Sequence, residues 1–429
     1  MNDDTPALNG GAYLRLVALG AAIGIPAALV AALFLALVHE LEDWLWSSSP
    51  PWYAVVGLPA AGACIVIAAR RLLPGDGGHA PLEGIGGGAT PIEYAPGIAL
   101  AALGTLAFGA VLGPEAPLIA LGSAVGILAT RFVAVDERAH IVLGTAGSFS
   151  AISALFGGPI VAGIMLVESG VEAGRRLLPV LLPGFVAAAI GYTIFIGFGH
   201  WGGLHQQSLA VPDLPPYNGT HVYDLLVAVV VGVVTSIAVT ATRRGAQAVA
   251  GPGRRRLGMA PLLLAGGLAV GLIAQTADWL GADSQTVLFS GQAGVPDLAA
   301  ADSTKIVVIL IVAKGLAYAV SLGCGFRGGP IFPAVFIGIA LAVLTVVWFD
   351  VSPTLAVAVG AAAGMAAGTR LLITSTLFAS LLVGSAGTDA VPAAVLAAAA
   401  AWLAMRVIDA RAGEQVEAPA EAGASVASR

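Results

Sequence analysis

The stretch LGTLAFGAVLGPEAPLIALGSAVG, residues 103–126, places one carboxylate, Glu115, between two prolines in an otherwise apolar segment. An ionised side chain at the centre of a bilayer costs about 2.5–3.5 kcal/mol on insertion scales, so it marks a candidate functional site. Gly113 and Pro114 end one helix, and Pro114 or Pro117 fits the first turn of the next. A helix that begins inside a membrane offers free N–H groups and about half a positive charge. The stretch therefore predicts an anion site that the Glu115 side chain occupies. The alternative is that Glu115 only caps its own helix.

The composition indicates a polytopic membrane protein. Of the 429 residues, 58% are hydrophobic and only 10% are charged, with a mean hydropathy of +0.92, whereas a soluble domain carries about 25% charged residues. The 57 glycines fit close packing of helices in a membrane. The alternating ten-residue segments of a membrane β-barrel are absent from the sequence. We therefore predict an all-α polytopic fold in the cell membrane.

Arginines at the ends of apolar segments predict the orientation in the membrane. Arg70 and Arg71 end the second apolar segment and Arg254–Arg256 form the largest basic cluster, whereas His200–Asp224 contains no Lys or Arg. The positive-inside rule places the arginines in the cytoplasm and the polar loop outside, with both termini cytoplasmic. The predicted organisation is a cytoplasmic N-terminal segment (1–11), a first membrane repeat (12–205), an external connecting loop (206–224), a second membrane repeat (225–412) and a disordered cytoplasmic tail (413–429).

The two halves carry matching interrupted segments. Gly113–Pro117 corresponds to Gly328–Pro333, and Gly144–Val167 corresponds to Gly360–Gly384. If the first half begins inside and ends outside, the second begins outside and ends inside. This pattern predicts two inverted-topology repeats of tilted and broken helices, with the substrate site between them near the middle of the membrane.

Three motifs resemble those of the CLC family of chloride channels and proton/chloride antiporters. They are GPEAP (Gly113–Pro117), GGPIFP (Gly328–Pro333) and GGATP (Gly87–Pro91), and the resemblance covers roughly residues 12–412. It implies the CLC-type fold, a homodimer with one separate pore per subunit, and Glu115 as the gate, in a divergent bacterial-type member without CBS domains. The anion-binding backbone positions that it implies are Gly88, Ala89, Gly329, Ile331 and Phe332.

The chain departs from the family pattern at the filter. Gly88 stands where the resemblance places a filter serine, and Pro114 stands where it places a basic residue. The filter tyrosine, expected near the C-terminal end, has no counterpart, because the last tyrosine is Tyr318. These departures leave the preferred anion open.

The position of the antiporters' inner proton acceptor falls at Ser169, with Glu168 just before it and Glu172 just after. A hydroxyl has no accessible pKa near neutral pH, so a relay would need one of the two glutamates. The alternative for Glu168 is a helix-end carboxylate that faces the cytoplasm. Arg327, two residues before Gly329, either anchors that turn or supplies a vestibule charge in place of the one missing at Pro114.

These observations predict transmembrane chloride transport through a CLC-type pore gated by Glu115, passive or loosely coupled to protons. The alternatives are a coupled proton/chloride antiporter and a fluoride-selective relative. An intramembrane enzyme is a distant alternative, because all six histidines fall in loops or at span ends, and no metal-ligand pair lies within a span. We expect no cofactor, metal or nucleic acid; the expected partners are chloride or another small anion, protons, the lipid bilayer and a second copy of the chain.

Overall fold

The structure is a computed structural model that describes residues 10–46, 49–84, 88–133, 137–153, 155–169, 178–201 and 209–426. Over these residues the secondary structure is helical, with three short 3₁₀ segments and one isolated bridge between Gly113 and Gly329. The helices of the first half are α1 (Gly10–Leu45), α2 (Trp52–Leu72), α3 (Ala95–Leu106), α4 (Glu115–Thr130), α5 (Glu137–Ser153), α6 (Pro159–Ser169) and α7 (Leu178–Trp201). Those of the second half are α8 (Val222–Leu257), α9 (Met259–Trp279), α10 (Ser284–Val287), α11 (Val295–Ala299), α12 (Thr304–Cys324), α13 (Ile331–Phe349), α14 (Pro353–Thr369), α15 (Ile373–Val383) and α16 (Val391–Val426).

The described helices confirm an all-α polytopic membrane protein. Eight helical segments are long and apolar enough to cross a membrane: α1, α2, α8, α9, α12, α13, Val180–Gly197 of α7, and the run Ile373–Arg411 through α15 and α16. The apolar helices α4, α5, α6 and α14 have 17 residues or fewer. At 1.5 Å per residue they are shorter than the ~30 Å hydrocarbon core. Their ends therefore lie within the membrane, where only other protein groups or a water-filled cavity can satisfy them.

Corresponding helix pairs in the two halves pack through glycines. A Cβ atom on Gly122 of α4 would lie 2.4 Å from the carbonyl oxygen of Gly147 in α5. A Cβ atom on Gly338 of α13 would lie 2.2 Å from the carbonyl oxygen of Gly360 in α14. Small residues let membrane helices approach until their backbones touch. The matching packing in the two halves agrees with the inverted repeats predicted from the sequence.

The segment that joins the halves lies against the second half. The backbone N–H of Val211 donates to Leu382 O at 2.8 Å, and that of Tyr217 donates to Ala386 O at 2.8 Å. The Tyr217 hydroxyl also bonds to the Asp224 carboxylate, 2.6 Å away at the start of α8. The connection is therefore hydrogen-bonded to the end of α15, to the segment after it and to the start of α8.

The last helix, α16, extends from Val391 to Val426. Alanine and glutamate, which are frequent near its end, have high helix propensity. An existing helix can also be extended without the cost of nucleation.

We expect Gly338→Ala to lower the thermal midpoint of the protein in detergent, because the added methyl group collides with the Gly360 backbone. Overpacking of this kind costs about 1–3 kcal/mol. Gly57→Ala is the matched control, because a Cβ atom on Gly57, inside α2, would have no heavy atom within 4 Å. A Gly338→Ala protein with an unchanged midpoint would contradict this packing.

Candidate anion site between two broken helices

Two turns of the same sequence pattern, Gly-Pro-x-x-Pro, meet in the middle of the molecule. They are Gly113–Pro117 before and into α4, and Gly329–Pro333 before and into α13. Pro114 and Pro330 precede the two helices with nearly the same backbone angles, φ −82° and ψ −7° for the first and φ −92° and ψ −2° for the second. The later proline of each turn sits in a first helical turn, where no N–H is needed for the helix. The sequence thus starts two helices inside the protein, each with free backbone donors.

The two turns are joined by their glycines. The N–H of Gly113 donates to Gly329 O at 2.8 Å, and the N–H of Gly329 donates to Gly113 O at 2.6 Å. A Cβ atom on Gly329 would lie 2.0 Å from Cδ of Glu115, and one on Gly113 would lie 2.0 Å from Oε2 of Glu115. A side chain at either position would therefore occupy the space of the Glu115 carboxylate.

Glu115 crosses from its own helix to the start of the other. Its side chain is fully buried, and its Oε1 accepts a hydrogen bond from the Ile331 N–H at 2.5 Å. Its Oε2 has no hydrogen-bond partner among the described residues. The carboxylate thus takes the place that an anion would take at the N-terminus of α13, where N–H groups and the helix dipole favour negative charge. The structure brings Glu115, Gly329 and Ile331 together at the start of α13.

Phe332, also named from the sequence, belongs to a buried aromatic cluster beside this point. Its ring stacks on Phe156 with centroids 6.1 Å apart, and it meets Phe378 edge-on at 6.1 Å. Phe156 precedes α6 and Phe378 lies in α15, so three interrupted helices share the cluster. The rings fill the space next to the first turn of α13 and hold it in place.

Tyr318 supports the same turn from α12. Its hydroxyl donates to Pro330 O at 2.7 Å, and its side chain is buried. The hydrogen bond fixes the peptide that carries the Ile331 N–H. In the sequence Tyr318 stands out only as the last tyrosine of the chain, in the apolar segment that precedes GGPIFP.

Gly88 and Ala89 lie beside the middle of α4. The hydroxyl of Ser123 donates to Gly88 O at 3.1 Å and accepts from the Thr90 N–H at 3.1 Å. Ser123 follows Glu115 by eight residues in the same helix, which is about 12 Å along the axis. The structure therefore fixes this loop on α4 and shows no contact between it and Glu115 among the described residues.

Glu168 caps a helix of the second half. Its carboxylate accepts hydrogen bonds from the N–H groups of Leu372, Ile373 and Thr374, and from the Thr374 hydroxyl at 2.7 Å. These donors belong to the start of α15, which has free N–H groups to satisfy. The Ser169 hydroxyl donates to Met165 O in its own helix at 2.6 Å. Glu172, the third residue of the predicted relay, lies outside the described residues.

Arg327 is anchored by Asp76 and Thr105. Its Nε donates to Asp76 O at 3.0 Å, and its Nη2 contacts the Asp76 carboxylate at 2.5 Å. Its backbone N–H donates to the Thr105 hydroxyl at 3.1 Å. These contacts fix Arg327 to the loop after α2 and to α3.

A cavity of about 600 Å³ reaches the turn before α4, where Leu112 and Pro114 line it. The first helix, the short helices α10 and α11 and the segment between these two contribute most of the other lining residues, and α3 and α7 contribute one each. The acidic residues of the lining are Glu40, Glu42, Asp43, Asp283 and Asp297. Because Pro114 directly precedes Glu115, the cavity approaches the carboxylate to within one residue along the chain.

Comparison with known proteins gives matches over most of the chain. The family model described as "Voltage gated chloride channel" matches residues 77–405. A protein named "Putative ion-transport protein YfeO", from Escherichia coli (strain SMS-3-5 / SECEC), is 29% identical over 345 residues, which are 75% of this chain and 77% of that protein. A protein of the same name from Escherichia fergusonii gives the same values.

Two solved structures have the same fold. One is described as a slow cyanobacterial Cl⁻/H⁺ antiporter, with a TM-score of 0.74, 15% identity, and coverage of 92% of this chain and 95% of the other. The second is described as a CLC-type fluoride/proton antiporter, with a TM-score of 0.73, 20% identity, and coverage of 92% and 96%. Members of this family transport ions across membranes and are not enzymes. With its family match, its fold and its paired broken helices, the chain belongs to the CLC family of voltage gated chloride channels and related anion transporters.

Proposed function

We propose that this chain moves chloride through a pore in each subunit, gated by Glu115, and that the movement is passive or only loosely coupled to protons. The observation that carries the proposal is the contact between the Glu115 carboxylate and the Ile331 N–H at the start of α13. A side-chain carboxylate at that point competes with a mobile anion for the same backbone donor. Removal of the carboxylate frees the donor.

Backbone donors suit transport better than full cations. A conducted ion must bind well enough to enter and weakly enough to leave. N–H groups at the start of α13, from Ile331 and Phe332, provide partial positive charge without a fixed cation. Gly88 and Ala89, from the first half, are proposed to flank the pathway beside Ser123, about 12 Å from Glu115 along the axis of α4.

Protonation is proposed to open the gate. A charged carboxylate gains from the α13 dipole and from the Ile331 hydrogen bond, whereas a neutral carboxyl gains much less. The Glu115 side chain is then released from the site, and an anion replaces it. The rate of anion movement should follow the protonated fraction and increase as the pH falls.

Weak coupling is supported by the surroundings of the predicted relay. The Glu168 carboxylate already accepts four hydrogen bonds at the start of α15, and the Ser169 hydroxyl has no accessible pKa near neutral pH. A coupled proton/chloride antiporter is the alternative, with Glu168 or Glu172 as the inner acceptor. Both similar solved structures are described as antiporters, which is the reason to test coupling directly.

Fluoride is the alternative substrate. Gly88 provides no hydroxyl where the family pattern has a serine, and one of the similar structures is described as a fluoride/proton antiporter. Chloride and fluoride efflux should therefore be measured side by side.

We further propose a homodimer in the plasma membrane with both termini in the cytoplasm. The arginines at the ends of α2 and α8 are the basis of the orientation, because basic residues stay on the cytoplasmic side. The residue ranges 12–205 and 225–412 are proposed as the two inverted repeats, joined outside by 206–224.

The gate is tested by anion efflux from proteoliposomes with potassium shunted by an ionophore. We expect wild-type chloride efflux to increase as the pH falls from 8 to 5. We expect Glu115→Gln to be open and independent of pH, because its neutral amide does not compete for the Ile331 N–H. Glu83→Gln is the control, because this carboxylate is 72% exposed and its charged neighbour is His79, which lies outside the turn of Glu115. A Glu115→Gln protein that keeps the wild-type pH profile would place the gate elsewhere, and efflux no faster than from empty liposomes would refute anion transport.

Coupling is tested with an imposed chloride gradient and a clamped membrane potential, while the external pH is recorded. We expect little or no uphill proton movement. Stoichiometric proton pumping that disappears in Glu115→Gln would establish an antiporter and would refute the weak-coupling proposal. In that case Glu168→Gln and Glu172→Gln, tested separately, would identify the inner acceptor.

The cap formed by Glu168 is tested by stability. We expect Glu168→Ala to destabilise the protein by about 0.5–2 kcal/mol, the usual cost of a lost helix cap, and therefore to lower the thermal midpoint in detergent. Glu168→Gln, which retains one carbonyl oxygen as an acceptor, should lower the thermal midpoint by less. Ser169→Ala is the matched neighbour, because its hydroxyl bonds only within α6. Equal midpoints for wild type and Glu168→Ala would show that the cap contributes no stability.

A further inference from the structure

A second cavity, of about 350 Å³, lies where the ends of α2, α8, α9 and α12 meet. None of its lining residues belongs to the turn of Glu115 or to the aromatic cluster beside it. It lies at the end of the molecule that the arginines assign to the cytoplasm. Its ionisable lining residues, apart from one cysteine, are Arg70, Asp76, His79, Glu83, Arg254 and Arg327.

Two of these arginines are buried and share one carboxylate. The side chains of Arg70 and Arg327 are only 4% and 6% exposed. Arg70 donates from Nε and Nη2 to the two oxygens of Asp76, each at 2.8 Å, and from Nη1 to Gly325 O at 3.1 Å. Arg327 contacts the same carboxylate through Nη2. One acid therefore serves two guanidinium groups that are already fixed in position.

Asp76 is charged at neutral pH. Burial raises the pKa of its carboxyl, but the hydrogen bond from Arg70 and the positive charge of Arg327 outweigh burial and hold the pKa below its usual value. Asp76 thus compensates a single positive charge, while Arg70, Arg327 and Arg254 bring three. Glu83 is 72% exposed and lies 3.9 Å from His79, with no contact to an arginine.

Several donors of the lining remain unused. Arg327 Nη1 makes no hydrogen bond to the described residues, and Arg254 makes no ion pair with them. His79 Nε2 is buried and has no hydrogen-bond partner within the described ranges. A buried polar atom without a partner is costly and needs a reason. These three groups border the same cavity and together call for an acceptor with several oxygens.

We propose that this cavity binds a phosphate monoester dianion from the cytoplasmic side. Guanidinium groups match phosphate oxygens as paired donors, and they are the usual choice for phosphate recognition. The volume is at the lower end of the 300–1,000 Å³ typical of small-molecule sites, so it suits a phosphate with a small organic group. The phosphate comes either from a soluble metabolite or from the headgroup of a lipid.

The cavity adjoins the turn that leads to the anion site. Arg70 holds Gly325 O, and Arg327 is two residues before Gly329, which pairs with Gly113. A ligand that binds Arg327 and Arg254 would therefore contact the segment that positions the start of α13. Binding of a cytoplasmic phosphate compound would therefore affect the position of the turn that holds Glu115.

The test is calorimetric titration of the full-length protein in detergent with inorganic phosphate and with glycerol 3-phosphate, at constant ionic strength set with gluconate. We expect saturable binding, tighter for glycerol 3-phosphate. Arg254→Gln should weaken it about tenfold or more, the usual effect of losing a charge-assisted hydrogen bond, and its exposed position leaves folding unaffected. Arg255→Gln is the matched control, because it is the next residue of the same helix, is exposed, and does not line the cavity.

The lipid source is tested with short-chain phosphatidic acid against short-chain phosphatidylcholine, a diester, in the same detergent. One outcome is that phosphatidic acid is the only monoester that binds, with a dependence on Arg254 and no binding of glycerol 3-phosphate. That result would support the phosphate site and would identify a lipid headgroup as the ligand. Binding that Arg254→Gln and Arg255→Gln reduce equally would overturn the proposal, and so would the absence of binding of inorganic phosphate, glycerol 3-phosphate and phosphatidic acid alike. None of these outcomes depends on anion transport, so failure here is distinct from failure of the gate.

Discussion

The hydrogen bond from the Ile331 N–H to the Glu115 carboxylate is the interaction on which the centre of this protein depends. It joins the first turns of two helices from opposite halves of the chain. A buried carboxylate with one oxygen unpaired among the described residues is expensive in a membrane protein. This cost is offset because both helix starts direct N–H groups and dipoles toward the same point. The start of α13 thus stabilises negative charge through backbone groups, and the Glu115 carboxylate occupies that position.

That arrangement determines which residues surround it. Gly113 and Gly329 must lack side chains, because a Cβ atom on either would overlap the carboxylate. Their mutual hydrogen bonds also satisfy backbone groups that would otherwise be unpaired inside a membrane. Tyr318 adds a third support by binding Pro330 O. Short helices, glycine contacts and the bridge are therefore consequences of one requirement, which is to bring two helix N-termini together in a place without bulk water.

The sequence predicts the parts of the site that are local in the chain. Glu115 could be named because it is a lone carboxylate at a glycine/proline break in an apolar segment, and Ile331 because GGPIFP, in the matching place of the second half, resembles a family motif. The positions of the membrane spans could likewise be predicted from the local hydropathy of the chain. The cap formed by Glu168 could not be derived, because its partners are more than 200 residues away and are backbone groups, which leave no signature in a sequence. Arg327 and Asp76 pose the same difficulty over 251 residues. Tyr318 was overlooked because an apolar helix gives no indication of which carbonyl a hydroxyl will meet.

The buried cations show why the backbone has to supply the attraction for anions. Lys314 is fully buried, and its ammonium group donates to the carbonyl oxygens of Thr286, Leu288 and Phe289 at 2.6–3.2 Å. Arg327 is bound to Asp76. Each cation is thus held by oxygens of its own neighbourhood, and neither makes a contact with Glu115 among the described residues. A free cation in the site would hold an anion, or the Glu115 carboxylate, too firmly for exchange. Partial charges at a helix end offer the same donors to an anion and to the Glu115 carboxylate, which is the physical basis of the proposal that protonation of Glu115 decides which of them occupies the site.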